Sequence, residues 1–171
     1  MKNSRQVFSR IYDQYVDKIY RFIYLKVNLV ETAEDLTAET FIKGWQAFQI
    51  KQAPDSDDRI ENMPAFLYRI ARNLVIDYYR QKEKFPISPI DTIEDPRTDL
   101  EGKVAVGSDI EMVKRALSQL NQDYQDVIIW HYLDDLAIPE VAKLLDRSEE
   151  ATRVLLSRAL KSLKDELRQS V

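Results

Sequence analysis

The sequence predicts an all-α chain of two small helical domains joined by a flexible acidic linker, and three observations predict it. Apolar residues recur at spacings of three and four, the helical period, and no stretch alternates as a half-buried strand does. Only three of the 171 residues are glycine, against 44% hydrophobic and 32% charged, a balance that suits a helical chain with a buried core. Gly102, Gly107, Pro86, Pro89 and Pro96 crowd between 86 and 107 beside Asp91, Glu94, Asp95, Asp99 and Glu101, which marks a linker. The expected boundaries are 1–85 for the first domain, 86–108 for the linker and 109–171 for the second domain.

The elements follow in order. Phe8, Ile11, Tyr12, Tyr15, Ile19, Phe22 and Ile23 line one face of a first helix. A second helix runs from about Glu31 to Phe48, with Ala33, Leu36, Phe41 and Trp45 as its core candidates. The polar segment IKQAPDSDDRIENMP, 50–64, breaks the pattern, and Pro64 fits the first turn of a third helix through 66–81. After the linker come helices at about Asp109 to Leu120, Asp123 to Leu133 and Ile138 to Leu145, with Pro139 tolerated in the first turn of the last. Ser148 stands where an N-cap belongs, because its hydroxyl can accept from the open amides of a helix from Glu149 to about Arg168. A short helix, a tight turn and a longer basic helix make the outline of a helix-turn-helix.

Composition excludes several classes. Cysteine is absent, so there is no disulfide framework and no thiolate metal site. The single histidine, His131, cannot supply the two Glu-x-x-His pairs of a di-iron bundle, and no phosphate-cradling glycine loop, nucleophile elbow or zinc motif is present. The sequence therefore calls for no enzyme, no cofactor and no metal. No segment approaches the ~20 apolar residues of a membrane span and the first residues carry no signal-peptide pattern, so the expected location is the cytoplasm, with no membrane insertion. A net charge of −4 means that any nucleic-acid contact must be local.

Such a place exists in FLYRIARNLVIDYYRQ, 66–81. At about 100 degrees per residue, Arg69, Arg80, Asn73 and Arg72 fall within about 100 degrees of one another, while Leu67, Ile70, Leu74 and Tyr78 gather opposite. Tyr68 and Tyr79 flank the polar row on one side and Phe66 on the other. Guanidinium forks bind phosphate, asparagine reads base edges, and aromatic rings stack on bases that have left the duplex. The pattern suits single-stranded or partly melted DNA; the alternative is a solvated amphipathic helix.

Three separated signatures, AEDLTAETFIKGW (33–45), AFLYRIARNLVIDYYR (65–80) and the downstream helix-turn-helix, together resemble a bacterial RNA polymerase sigma factor of the extracytoplasmic-function group. The resemblance implies that the segment around Asp35 to Trp45 docks on a basic surface of the core polymerase, with Glu34, Asp35 and Glu39 as complements and Ala38 in place of a usual glutamine. It implies that the 66–81 helix melts and reads minus-ten promoter DNA through Arg69, Arg72, Asn73 and Arg80, with Asp77 also on a family position. It makes 49–62 a base-capture loop and leads the acidic linker through a basic nucleic-acid channel.

The helix-turn-helix keeps Leu120, Leu136, Glu140, Ala142, Leu144, Ser148, Arg158, Ala159 and Leu163 of the family register. Asn121 stands where proline is usual; Asp135, Asp146 and Glu150 stand where glycine is usual; Ala151, Val154 and Leu155 replace polar readers. Arg153, Val154, Arg158 and Lys161 are the minus-thirty-five candidates, with Thr152, Leu156, Ala159 and Leu163 as the core face. Glu149 and Glu150 would repel phosphate from the helix start, so this domain is expected to bind DNA weakly. Val154 and Leu155 fit a thymine methyl or a protein partner. The implied partners are core RNA polymerase, promoter DNA and an anti-sigma factor or other recruiting protein. Two other classes stay open: a sigma-like interaction module with little DNA reading of its own, and a plain helix-turn-helix repressor. Binding to core polymerase separates the repressor from the other two.

Overall fold

The computed structural model describes residues 3–51, 62–84 and 104–169. The chain divides into two compact units, Met1–Thr92 and Ile93–Val171, and the described residues hold helices and no strand. The segment 52–61, most of the expected base-capture loop, and residues 86–103 of the expected linker lie outside the described residues.

The first unit contains α1 (Ser4–Val27), α2 (Val30–Lys51) and α3 (Met63–Lys84). The Asn3 side chain caps α1 by accepting from the Arg5 amide, and Asn28 ends it in the left-handed region at φ 57°, its N–H bonded to the Tyr24 carbonyl. Asparagine tolerates that conformation because its short polar side chain bonds locally. The chain then turns directly into α2, which runs back along α1. Phe8 near the start of α1 meets Trp45 and Phe48 near the end of α2, at ring-centroid distances of 5.2 and 5.7 Å. The buried hydroxyls of Thr37 and Thr40 donate to the carbonyls of Ala33 and Leu36, so neither is left unsatisfied. Asn62 accepts from the Ala65 amide and opens α3 just ahead of Pro64, whose missing N–H falls where a helix needs none. Gly44 permits α3 to approach α2 closely: a Cβ there would lie 2.6 Å from the Leu67 side chain. Ile19, Phe22, Ile23, Ala33, Leu67, Ala71 and Val75 are wholly buried between the three helices.

The second unit contains α4 (Val104–Ser118), α5 (Gln122–Ile128), α6 (Ile138–Leu145) and α7 (Glu149–Gln169). The first of these begins at Val104, inside the expected linker, rather than near Asp109. Asn121, in the position of a family proline, caps α5 by accepting from the Tyr124 amide at 2.9 Å. The expected helix through Leu133 is not regular: after Ile128 it widens into a π-helical turn, Ile129–Leu133, closed by the Asp134 amide on the Ile129 carbonyl at 3.0 Å. The Gln125 side chain donates to the Leu117 carbonyl at 2.8 Å and ties α5 to the end of α4. Asp135 and Asp146, two of the three acids on family glycine positions, both hold φ 54°. The backbone there keeps a glycine-like conformation while the side chain differs; the third, Glu150, lies within α7. Arg147 reaches Asp123 at 2.8 Å and pins the turn between α6 and α7 to the start of α5. Ser148 accepts from the Ala151 amide as the expected cap, at 3.1 Å. Trp130, Val127, Ile129, Val141 and Ala159 form the centre of this core.

Candidate nucleic-acid and polymerase interfaces

On α3, Arg69, Asn73 and Arg80 are exposed, as the wheel expects, and so is Asp77, whereas Arg72, expected in the same row, is half-buried, as is Ile76. From Arg69 to Arg80 the row is about 16 Å long at 1.5 Å per residue. Between Arg69 and Arg80 the one acid is Asp77, on the row's flank, and Glu83 follows one turn beyond Arg80.

The tyrosines beside the row are not where the sequence puts them. Tyr68 is 1% exposed, its ring edge-on to Phe22 of α1 at 5.7 Å, and it offers no face for a base. Tyr79 is half-buried and its hydroxyl donates to the Lys26 carbonyl at the end of α1. Burial, and secondarily the neighbouring Tyr78, pushes the Tyr79 phenol above its ordinary pKa, so it holds its proton and remains a donor. The sequence carried a signal for this. Val75, wholly buried, falls between Tyr78 and the Tyr68–Tyr79 pair on the wheel, about 20 degrees from Tyr68, so the apolar wedge is wider than Leu67, Ile70, Leu74 and Tyr78 imply. Both tyrosines anchor α3 to α1 and fix which way the arginine row faces. Phe66, on the other flank, is half-buried and carries Lys51 over its ring at 5.4 Å.

On α2, Glu34, Asp35, Ala38 and Glu39 are all exposed. Glu39 pairs with Lys43 at 3.5 Å, one turn on, an exposed contact that contributes little to stability. Glu34 and Asp35 have no ion-pair partner among the described residues.

On α7, Glu149, Glu150, Ala151, Arg153, Val154, Arg158 and Lys161 are exposed, and Val154 retains 49% of its surface. Glu149 pairs with Arg153 at 3.5 Å, so one of the four cationic or apolar candidates is partly engaged within the helix. Leu155 does not face outward with Val154: it is buried with Thr152, Leu156 and Ala159, while Leu163 is half-buried. The apolar replacement on the outer face is thus Val154 beside Ala151. Among the described residues no cluster of His, Asp or Glu is arranged to hold a metal ion, and no helix is long and apolar enough to cross a membrane.

A three-helix unit presenting a basic-amide row, followed by a helix-turn-helix unit, defines a two-part DNA-binding protein. Sigma-70 region 2 matches residues 11–85 and sigma-70 region 4 matches residues 110–163. The chain belongs to the sigma-70 family of RNA polymerase sigma factors, in its extracytoplasmic-function group. It is 31% identical over 160 residues to the ECF RNA polymerase sigma factor BldN of Streptomyces coelicolor, spanning 91% of this chain but only 58% of that protein. It is 25% identical to the ECF RNA polymerase sigma factor SigW of Bacillus subtilis, over 98% of this chain and 92% of that one. Among solved structures, CnrH in complex with the cytosolic domain of CnrY shares the fold at a TM-score of 0.69 and 22% identity, covering 99% of this chain and 92% of that chain. The sigma factor RpoE of Bartonella quintana, in complex with the anti-sigma factor NepR, does so at 0.69 and 20%, covering 95% of this chain and 98% of that chain.

Proposed function

We propose that this sigma factor docks on core RNA polymerase through Glu34, Asp35 and Glu39 of α2 and opens promoter DNA with the outer face of α3. The observation that carries the proposal is the α3 row itself. Arg69, Asn73 and Arg80 project from a helix whose two flanking tyrosines are locked inward, by a ring contact and by a hydrogen bond to α1. A rigid helix holds its guanidiniums ready for strand phosphates and loses little entropy on binding. Arg69, Arg72 and Arg80 bind the backbone of the minus-ten strand, and Asn73 reads a base edge. Tyr68 and Tyr79 act as positioning residues.

In the second unit Arg153, Val154, Arg158 and Lys161 contact minus-thirty-five DNA. The acidic start of α7 keeps that contact weak, so the first unit and the polymerase carry most of promoter choice. The protein is an initiation factor and not an enzyme, works in the cytoplasm with the polymerase, and needs no cofactor. CnrH is seen with the cytosolic domain of CnrY and RpoE with the anti-sigma factor NepR, which supports an anti-sigma partner here. Transcription in vitro with purified core polymerase, its run-off products mapped on a genomic library, tests the proposal. Discrete start sites that require this chain are the expected result; products identical with and without it overturn it.

A further inference from the structure

Arg147 stands one residue before Ser148, the cap of α7. In a helix-turn-helix the first helix crosses the DNA backbone and the second enters the major groove by its N-terminal residues, so the turn between them lies at the groove edge, beside phosphate. Between Lys143 and Arg153 the chain has one cation, Arg147, against Asp146, Glu149 and Glu150. A phosphate at this edge therefore meets a single favourable charge. That charge is already engaged: Nη2 of Arg147 donates at 2.8 Å to Oδ2 of Asp123, in the first turn of α5. The Arg147 side chain nevertheless keeps 43% of its surface in solvent. A guanidinium carries more N–H donors than one carboxylate oxygen uses, so part of this one stays open to a second anion.

We propose that Asp123 is an internal competitor of DNA phosphate: it holds Arg147 in the free protein, and a backbone phosphate at the groove edge draws the guanidinium over only against that pull. The proposal rests on the minus-thirty-five contact of α7 proposed above and adds a restraint on its strength. Carboxylate and phosphate both match the guanidinium fork and accept from the same N–H groups, so each gains what the other loses. An ion pair this exposed shifts an equilibrium by up to about fivefold, which makes Asp123 a reversible restraint and not a block. It acts in the same direction as the acids at the start of α7, and through a different residue.

Holoenzyme assembled from core polymerase and the full chain, titrated onto a fluorescent duplex carrying a start site mapped in the run-off experiment, measures the restraint by anisotropy. Asp123→Asn keeps the shape of the side chain and removes its charge, and is expected to tighten binding about threefold. Arg147→Ala is expected to weaken binding, and Asp123→Asn added to it is expected to bring no gain. A pair that only fastens the turn predicts the opposite sign for Asp123→Asn, because loosening the turn does not strengthen a contact that depends on it. Unchanged or weaker binding by Asp123→Asn overturns the proposal. Equal tightening with and without Arg147 also overturns it, since Asp123 would then repel DNA by its own charge. The Arg158→Ala, Lys161→Ala pair separates these results from failure of the contact itself. If that pair weakens binding while Asp123→Asn is neutral, the restraint alone falls; if neither changes binding, the minus-thirty-five contact falls and the restraint with it.

Discussion

Replacing Tyr79 by phenylalanine separates an anchoring tyrosine from a base-stacking one. The change keeps the ring and removes the hydroxyl that donates to the Lys26 carbonyl across to α1. A half-buried neutral hydrogen bond contributes about 1 kcal/mol, and its carbonyl partner is left at the end of α1 with one acceptor unmet. In a helical unit of this size that loss lowers the melting temperature by about 4–8 °C. The assay is thermal unfolding of the full chain by circular dichroism, following the transition of the first unit, alongside single-strand DNA binding by fluorescence anisotropy. An anchoring role predicts a lower melt and, below it, an unchanged salt slope for DNA. The effect should also fade at high pH. The raised phenol pKa means that folding favours the protonated form, so the unfolded chain ionises first. The contribution of the hydroxyl is complete below the unfolded value of about 10 and is lost as pH rises through the folded value. Parent and Tyr79→Phe should therefore converge only in that alkaline window. A melt within about 0.3 kcal/mol of the parent, together with a loss of about 1–3 kcal/mol in DNA binding for Tyr79→Ala at unchanged stability, would refute the anchoring role and restore the stacking one.

Other perturbations follow from the same geometry. Asp146→Gly relieves a left-handed aspartate at the end of α6 and should raise stability by about 0.5–1 kcal/mol in a denaturant melt; a loss would show that the Asp146 side chain makes a compensating contact. Gly44→Val forces a branched side chain against buried Leu67 and should destabilise the first unit by about 1–3 kcal/mol, read in the same melt. Asn121→Ala removes the cap of α5 and should cost about 1 kcal/mol. Loss of Arg69 or Arg80 to alanine should reduce the slope of log affinity against log salt by about 0.7 for single-stranded DNA if each binds one phosphate, measured by anisotropy; an unchanged slope removes that residue from the contact.

The helices were legible in the sequence because their apolar residues repeat at the helical period and two of their starts are marked: Pro64 in the first turn of α3, and Ser148 before Glu149. The arginine row was legible for the same reason, since a wheel places Arg69, Asn73 and Arg80 together without any knowledge of neighbours. What a wheel does not supply is the width of the buried sector, which depends on how many helices pack against it. With both α1 and α2 against α3, the buried sector widens to take in Tyr68, Val75 and Tyr79, and two expected stackers become anchors. Leu155 was misplaced on α7 for the same reason. The early start of α4 at Val104 was hidden by Gly107, which weakens a helix without forbidding it. The departures from family glycines at Asp135 and Asp146 were visible as letters, but only the backbone shows that the left-handed turns persist beneath them. The role of Asn121 was equally hidden: its replacement of proline substitutes a side-chain cap for a rigid φ.

The most direct test of the central claim, that the outer face of α3 opens promoter DNA, is permanganate reactivity of thymines around the start site in complexes of core polymerase with this chain. The parent should produce a reactive bubble, and an Asn73→Ala, Arg80→Ala double variant that binds core polymerase as tightly should lose most of that reactivity. Normal reactivity in the double variant at equal core occupancy would contradict the account and leave the row as a solvated surface.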